Sequence, residues 1–178
     1  MKFSKTLPLL FEEFGRERID FALVGGLALY ALGTSRTTFD ADFMILLNQA
    51  DIAAQVMERL GYKPLHRTDD IANYVSEDAD KGQVDFVFAH RRYALSMLRR
   101  ATTAQLLNHP VKVLLPEDLI GLKVQSSSND PNRALQDMAD IEALMQRHRK
   151  SLDWSMVESY FKLFGRETEY KDLRSRLK

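Results

Sequence analysis

The chain has 178 residues and no cysteine, and its 25 lysines and arginines balance its 25 aspartates and glutamates. That length suits one domain with a real core and leaves room for a smaller helical appendage. The balanced charge argues against whole-chain attraction to nucleic acid or membrane, and the missing cysteine excludes disulfides, thiolate-zinc sites and cysteine nucleophiles. No apolar run approaches the roughly 20 residues that span a bilayer. Glu12 and Glu13 stand where a signal peptide would continue apolar, so a cytoplasmic protein without membrane association is expected.

From the N-terminus, Leu7, Leu10, Phe11 and Phe14 recur at helical spacing and predict an amphipathic helix over 4–16. Residues 19–24 form a short apolar run that reads as a strand, broken by Gly25-Gly26. A helical stretch over 27–32 follows and stops at Gly33, a C-cap residue. Residues 40–47 read as a second strand and 51–60 as a helix ending at Gly61. Short strands are expected at 62–65 and 71–76, on either side of the polar run from His66 to Asp70. The Val- and Phe-rich run 83–89 is a strong strand signal. A helix over 91–100 leads to a hairpin of 104–107 and 111–115, turning at Asn108-His109-Pro110. From Pro116 the pattern is nearly all helical, with Pro116 at a first helical position and Glu117 and Asp118 in the first turn. A polar connection is expected over 126–131, where Asp130-Pro131 supplies an N-cap and N1 pair for a helix running to about His148. Helices over 154–164 and 167–177 part at Gly165. The expectation is an α/β (α+β) fold, a core over 1–115 followed by a helical segment over 116–178 packed on it.

Residues two apart on a strand share a face, so Asp40 and Asp42 point one way while Ala41 and Phe43 point the other. At about 3.3 Å per residue their backbones lie roughly 7 Å apart, close enough for both side chains to converge on divalent cations. A lone buried charge is costly, so two acids opening an apolar strand call for a reason. Asp85 is the third candidate: it faces with Val87, opposite Val84 and Phe86. If its strand neighbours that of Asp40, the three acids meet as a metal centre of the kind that assists in-line displacement at phosphorus. Asp85 is then the expected proton acceptor. Gly25 and Gly26 would let backbone approach a phosphate, and Arg36 and Thr38 are placed to touch phosphate or ribose. The plainer alternatives are a simple Gly-Gly turn, an exposed acidic pair and an ordinary strand-end carboxylate.

The ordered set Gly25-Gly26, Asp40-Ala41-Asp42 and Asp85 resembles the nucleotidyltransferase superfamily with the DNA polymerase β-like fold and its mixed sheet. A narrower likeness is to the small bacterial branch related to AbiEii-type toxins. It is carried by Gly25-Gly26-Leu27-Ala28, Arg36-Thr37-Thr38-Phe39-Asp40-Ala41-Asp42, Glu117-Asp118-Leu119-Ile120-Gly121-Leu122-Lys123, and Arg133 with Asp137 and Asp140. The resemblance implies transfer of a nucleoside monophosphate from an NTP to an acceptor, with magnesium or manganese on Asp40, Asp42 and Asp85. It implies Lys123 on nucleotide phosphate, against the alternative of a solvated lysine. The acceptor is RNA or protein if the chain is the toxin of a toxin–antitoxin pair, with a cognate antitoxin as partner. Otherwise it is a small molecule of the aminoglycoside kind, or the chain is a non-catalytic nucleotide- or partner-binding member. Gly26 stands where many members carry serine. Arg133, Asp137 and Asp140 share a helix face, which an intrahelical ion pair plus a contact back to the sheet also explains. The four histidines lack metal spacing. The basic groups at 91–100 and 147–150 are solvated faces or the only grip for RNA.

Overall fold

A computed structural model describes residues 1–34 and 36–177, and the chain divides into two compact units. The first comprises Met1–Ala31 and Arg36–Leu114; the second comprises Leu32–Ser35 and Leu115–Lys178. Among the described residues no helix is long and apolar enough to cross a membrane.

The first unit is built on a seven-stranded mixed sheet. Its strands are β1 (Phe21–Leu23), β2 (Asp40–Leu46), β3 (Lys63–Arg67), β4 (Ile71–Val75), β5 (Gln83–Ala89), β6 (Thr102–Leu106) and β7 (His109–Val113), in the order β3-β4-β5-β2-β1-β7-β6. Four helices belong with it: α1 (Phe3–Arg16), α2 (Gly25–Ala31), α3 (Ala50–Arg59) and α4 (Arg92–Arg99). Helix α1 lays its apolar stripe on the sheet face that carries Phe43 and Phe86. Phe14 meets Phe43 edge-on with ring centres 5.2 Å apart, and Phe21 at 5.3 Å. Such pairs contribute about 0.5–1.5 kcal/mol each beyond the area they bury. Phe14, Phe43 and Phe86 are fully enclosed, so this face is the core. The alternation of β2 and β5 turns their acids to the opposite face.

Two strand expectations shift. The hairpin turns at Leu107-Asn108, both at positive φ (48° and 67°), so His109 and Pro110 open β7 instead of forming the turn. Two central residues with positive φ match the twist of the flanking strands, and that geometry outweighs the proline signal. Strand β3 extends through His66 and Arg67, which the sequence pattern places in a polar connection. It is an edge strand exposed along its whole length, so it carries no apolar alternation to read.

The second unit contains α5 (Pro116–Asn129), a short turn of 3-10 helix (Pro131–Arg133), α6 (Ala134–His148), α7 (Trp154–Leu163) and α8 (Glu167–Arg176). Ile120, Val124, Ile141, Leu144, Val157 and Phe161 are fully buried apolar residues at its centre. Gly121 lets α5 and α7 approach closely, since a β-carbon there would stand 2.8 Å from the Tyr160 ring. The Tyr160 hydroxyl donates to buried Asp118 Oδ1 at 2.6 Å. Leu32 joins this unit through its carbonyl, 3.0 Å from the His148 ring nitrogen. Helix α5 continues through Ser126–Asn129, where a polar connection was expected. Ser127 and Ser128 donate back to the carbonyls of Lys123 and Val124, and the Arg166 guanidinium caps the same end through Val124 O and Ser127 Oγ. A cation at a helix C-terminus is favourable, and these bonds satisfy the hydroxyls inside the helix. Asp130 caps the short turn instead of α6 itself, accepting from the Asn132 amide.

Candidate active site

Strands β2 and β5 run side by side and parallel, with Asp42 directly opposite Asp85 and Asp40 opposite Gln83. This is the neighbour relation on which the meeting of the three acids depends. Ligand oxygens of Asp40, Asp42 and Asp85 all lie within 4.8 Å of one another, and the three residues are half-buried. Hard carboxylate oxygens with no sulfur or imidazole among them suit magnesium or manganese. Three like charges at this spacing repel, and a divalent cation relieves that repulsion. The residues therefore fit the metal that the sequence predicts.

Each acid is held by its surroundings. Thr38 Oγ1 donates to Asp40 Oδ1 at 2.6 Å. Asp85 receives three contacts from amides: Asn73 Nδ2 to Oδ1 at 2.8 Å, and Gln83 Nε2 to Oδ1 at 2.9 Å and Oδ2 at 3.0 Å. Asp42 is held by close packing against Gly25. At φ 59° a β-carbon on Gly25 would lie 1.9 Å from Asp42 Oδ2. On Gly26 it would lie 2.4 Å from Thr38 Oγ1, which explains why no serine stands there. The glycine pair thus makes room for Asp42 and for the threonine that orients Asp40. Arg36 and Thr38 are half-buried in the segment that leads into β2.

Lys123 lies in the second unit, buried, with its ammonium 3.0 Å from Asp137 Oδ1 and 2.5 Å from Asp140 Oδ2. Gln136 donates to Asp140 Oδ1 at 3.1 Å, and Arg133 Nε stands 3.7 Å from Asp137 Oδ2. The Arg133–Asp137 pair is present, reaching from the 3-10 turn into α6, but the shorter contacts of both aspartates are to Lys123. Asn73 and Gln83 went unnoticed in the sequence. Gln83 carried a readable signal, since it lies two residues before Asp85 and so shares its face.

Comparison with known proteins gives the family and the fold. The family described as uncharacterised nucleotidyltransferase matches residues 1–170. The chain belongs to that family. It is accordingly a nucleotidyltransferase by family and by fold. The solution structure of the antibiotic-resistance factor ANT(2'')-Ia is similar with a TM-score of 0.70 and 13% identity, over 98% of this chain and 97% of that one. A crystal structure of ANT(2'')-Ia in complex with adenylyl-2''-tobramycin gives 0.67 and 14% identity over 99% of each chain. The lincomycin-bound lincosamide antibiotic adenylyltransferase LnuA gives 0.59 and 16%, over 79% of this nucleotidyltransferase and 94% of that chain. None of these is an AbiEii-type toxin, and at these identities they show the fold. No curated protein matches the sequence.

Proposed function

We propose that this nucleotidyltransferase moves a nucleoside monophosphate from an NTP, ATP being the first to test, to a hydroxyl of a small molecule of the aminoglycoside or lincosamide kind. The observation that carries the transfer reading is the cluster of Asp40, Asp42 and Asp85 oxygens within 4.8 Å on two adjacent strands. The acceptor class draws support from the similar structures that match this chain over most of its length and are named for antibiotics. A cytoplasmic setting suits a reaction that uses NTP.

Asp40, Asp42 and Asp85 would hold magnesium or manganese, which when bound supplies positive charge to the reacting phosphates. The acceptor oxygen forms a bond to the α-phosphorus; the bond from that phosphorus to its bridging oxygen breaks, and pyrophosphate leaves with the electron pair. The acceptor proton passes to Asp85. Arg36 and the Gly25-Gly26 backbone lie on the phosphate side in this reading, and Thr38 serves through Asp40. Lys123 is committed to Asp137 and Asp140 and has a structural role in this reading.

An RNA acceptor draws its support from the basic groups. Arg91 is engaged with Asp70 at 3.3 Å and Arg100 with Ser96 at 3.1 Å, so part of that charge is neutralised or committed locally. The small-molecule reading is preferred on that ground. The test is incubation of α-labelled ATP and magnesium with tobramycin, lincomycin or bulk tRNA. Label on an antibiotic, lost in Asp42→Asn while the circular dichroism is unchanged, is the expected result. Label on tRNA alone would move the acceptor to RNA and revive an antitoxin as partner. Transfer undiminished in Asp42→Asn would sink the metal-centre reading.

A further inference from the structure

The Asp85 carboxylate is gripped more firmly than a single neighbour would manage. Asn73 stands directly across from it on β4, and Gln83 precedes it by two residues on β5. Gln83 in turn stands opposite Asp40 on β2. The two amides therefore approach Asp85 from the next strand and along its own, and together engage both carboxylate oxygens. All three contacts fall between 2.8 and 3.0 Å and are partly shielded from water. Apolar β-branched residues are the usual occupants of such half-buried strand positions. Two primary amides there, each aimed at one carboxylate, serve the carboxylate.

We propose that Asn73 and Gln83 are positioning residues that fix the Asp85 carboxylate for divalent cation binding. The role rests on the nucleotidyl-transfer reading of the same site. Their amide hydrogens stop the carboxylate from turning about its terminal bond, so a ligand oxygen stays within 4.8 Å of those on Asp40 and Asp42. They also offset part of the mutual repulsion of three acids. Hydrogen-bond partners behind a ligand carboxylate act in this way at metal centres generally, and their loss costs about 10–100-fold in metal affinity.

The experiment measures Mn²⁺ affinity from the free-ion electron paramagnetic resonance signal, with no nucleotide present. The proteins are the parent, Asp42→Asn, Gln83→Met, Gln83→Asn and Asn73→Leu, each checked for folding by circular dichroism and thermal melting. Methionine and leucine keep the volume and remove the donors; asparagine keeps the amide and shortens its reach. The expected result is loss of binding in Asp42→Asn and weakening of about 10–100-fold in Gln83→Met and Asn73→Leu. Gln83→Asn should weaken binding too, since the role depends on reach as well as polarity. A purely structural role would lower the melting temperature and leave the affinity of the folded protein unchanged. Parent-like Mn²⁺ affinity in folded Gln83→Met and Asn73→Leu, with Asp42→Asn inactive in binding, would overturn the positioning role alone. A parent protein that binds no Mn²⁺ would remove the metal centre itself, and this role with it.

Discussion

A methyl group on Gly25 would occupy space that Asp42 Oδ2 already holds, and its backbone sits at a φ of 59° that L side chains avoid. Left-handed backbone costs a side-chain-bearing residue about 1–2 kcal/mol, and the collision adds to that by pushing Asp42 aside. Gly25→Ala should therefore lower unfolding free energy by at least about 1–2 kcal/mol in urea and also abolish Mn²⁺ binding. A variant that loses the stability and keeps the metal would show that Asp42 has room to move. The acids themselves were legible at this scale, because an ionised pair at period two in an apolar strand is costly unless something charged meets it. Asn73 was not. Its meaning depends on the pairing of β4 with β5, which brings it to Asp85 from twelve residues away.

At the scale of elements, α5 and α6 are joined by the buried Lys123–Asp137–Asp140 cluster. Removing one partner of a buried ion pair leaves uncompensated charge and typically costs about 3–5 kcal/mol. Lys123→Met should lower unfolding free energy by about that amount, because two carboxylates lose their ammonium. Adding Asp137→Asn and Asp140→Asn should recover much of it. Full stability in Lys123→Met together with weaker ATP binding would return the lysine to the nucleotide. The sequence shows Asp137 and Asp140 on one helix face but offers no sign that they close on Lys123. For the same reason the continuation of α5 past Ser126 was hidden. Its capping cation is Arg166, thirty-nine residues beyond Ser127, and local polarity alone reads as a loop.

Across the whole molecule, formal charges cancel, so what holds the metal-binding face together or strains it is local. Without a cation the clustered acids oppose one another, and a ligand bound only by the folded state adds stability of about 2.7 kcal/mol at 100 times its dissociation constant. Magnesium or manganese should therefore raise the melting temperature, and a chelator should lower it again. Asp42→Asn should melt higher than the metal-free parent and show no response to either. An equal metal response in both would mean the cation binds elsewhere. The parallel register of β2 and β5 has a further consequence, for the way the chain folds. These strands are joined by a long crossover through α3 and a hairpin, so their pairing is non-local and open to a slip of one residue. A slip by one would turn Asp85 into the aromatic core and Phe86 into water. The charge needed for chemistry thus also penalises mispairing, and a chain relieved of that charge would lose a checkpoint on its route to the native sheet.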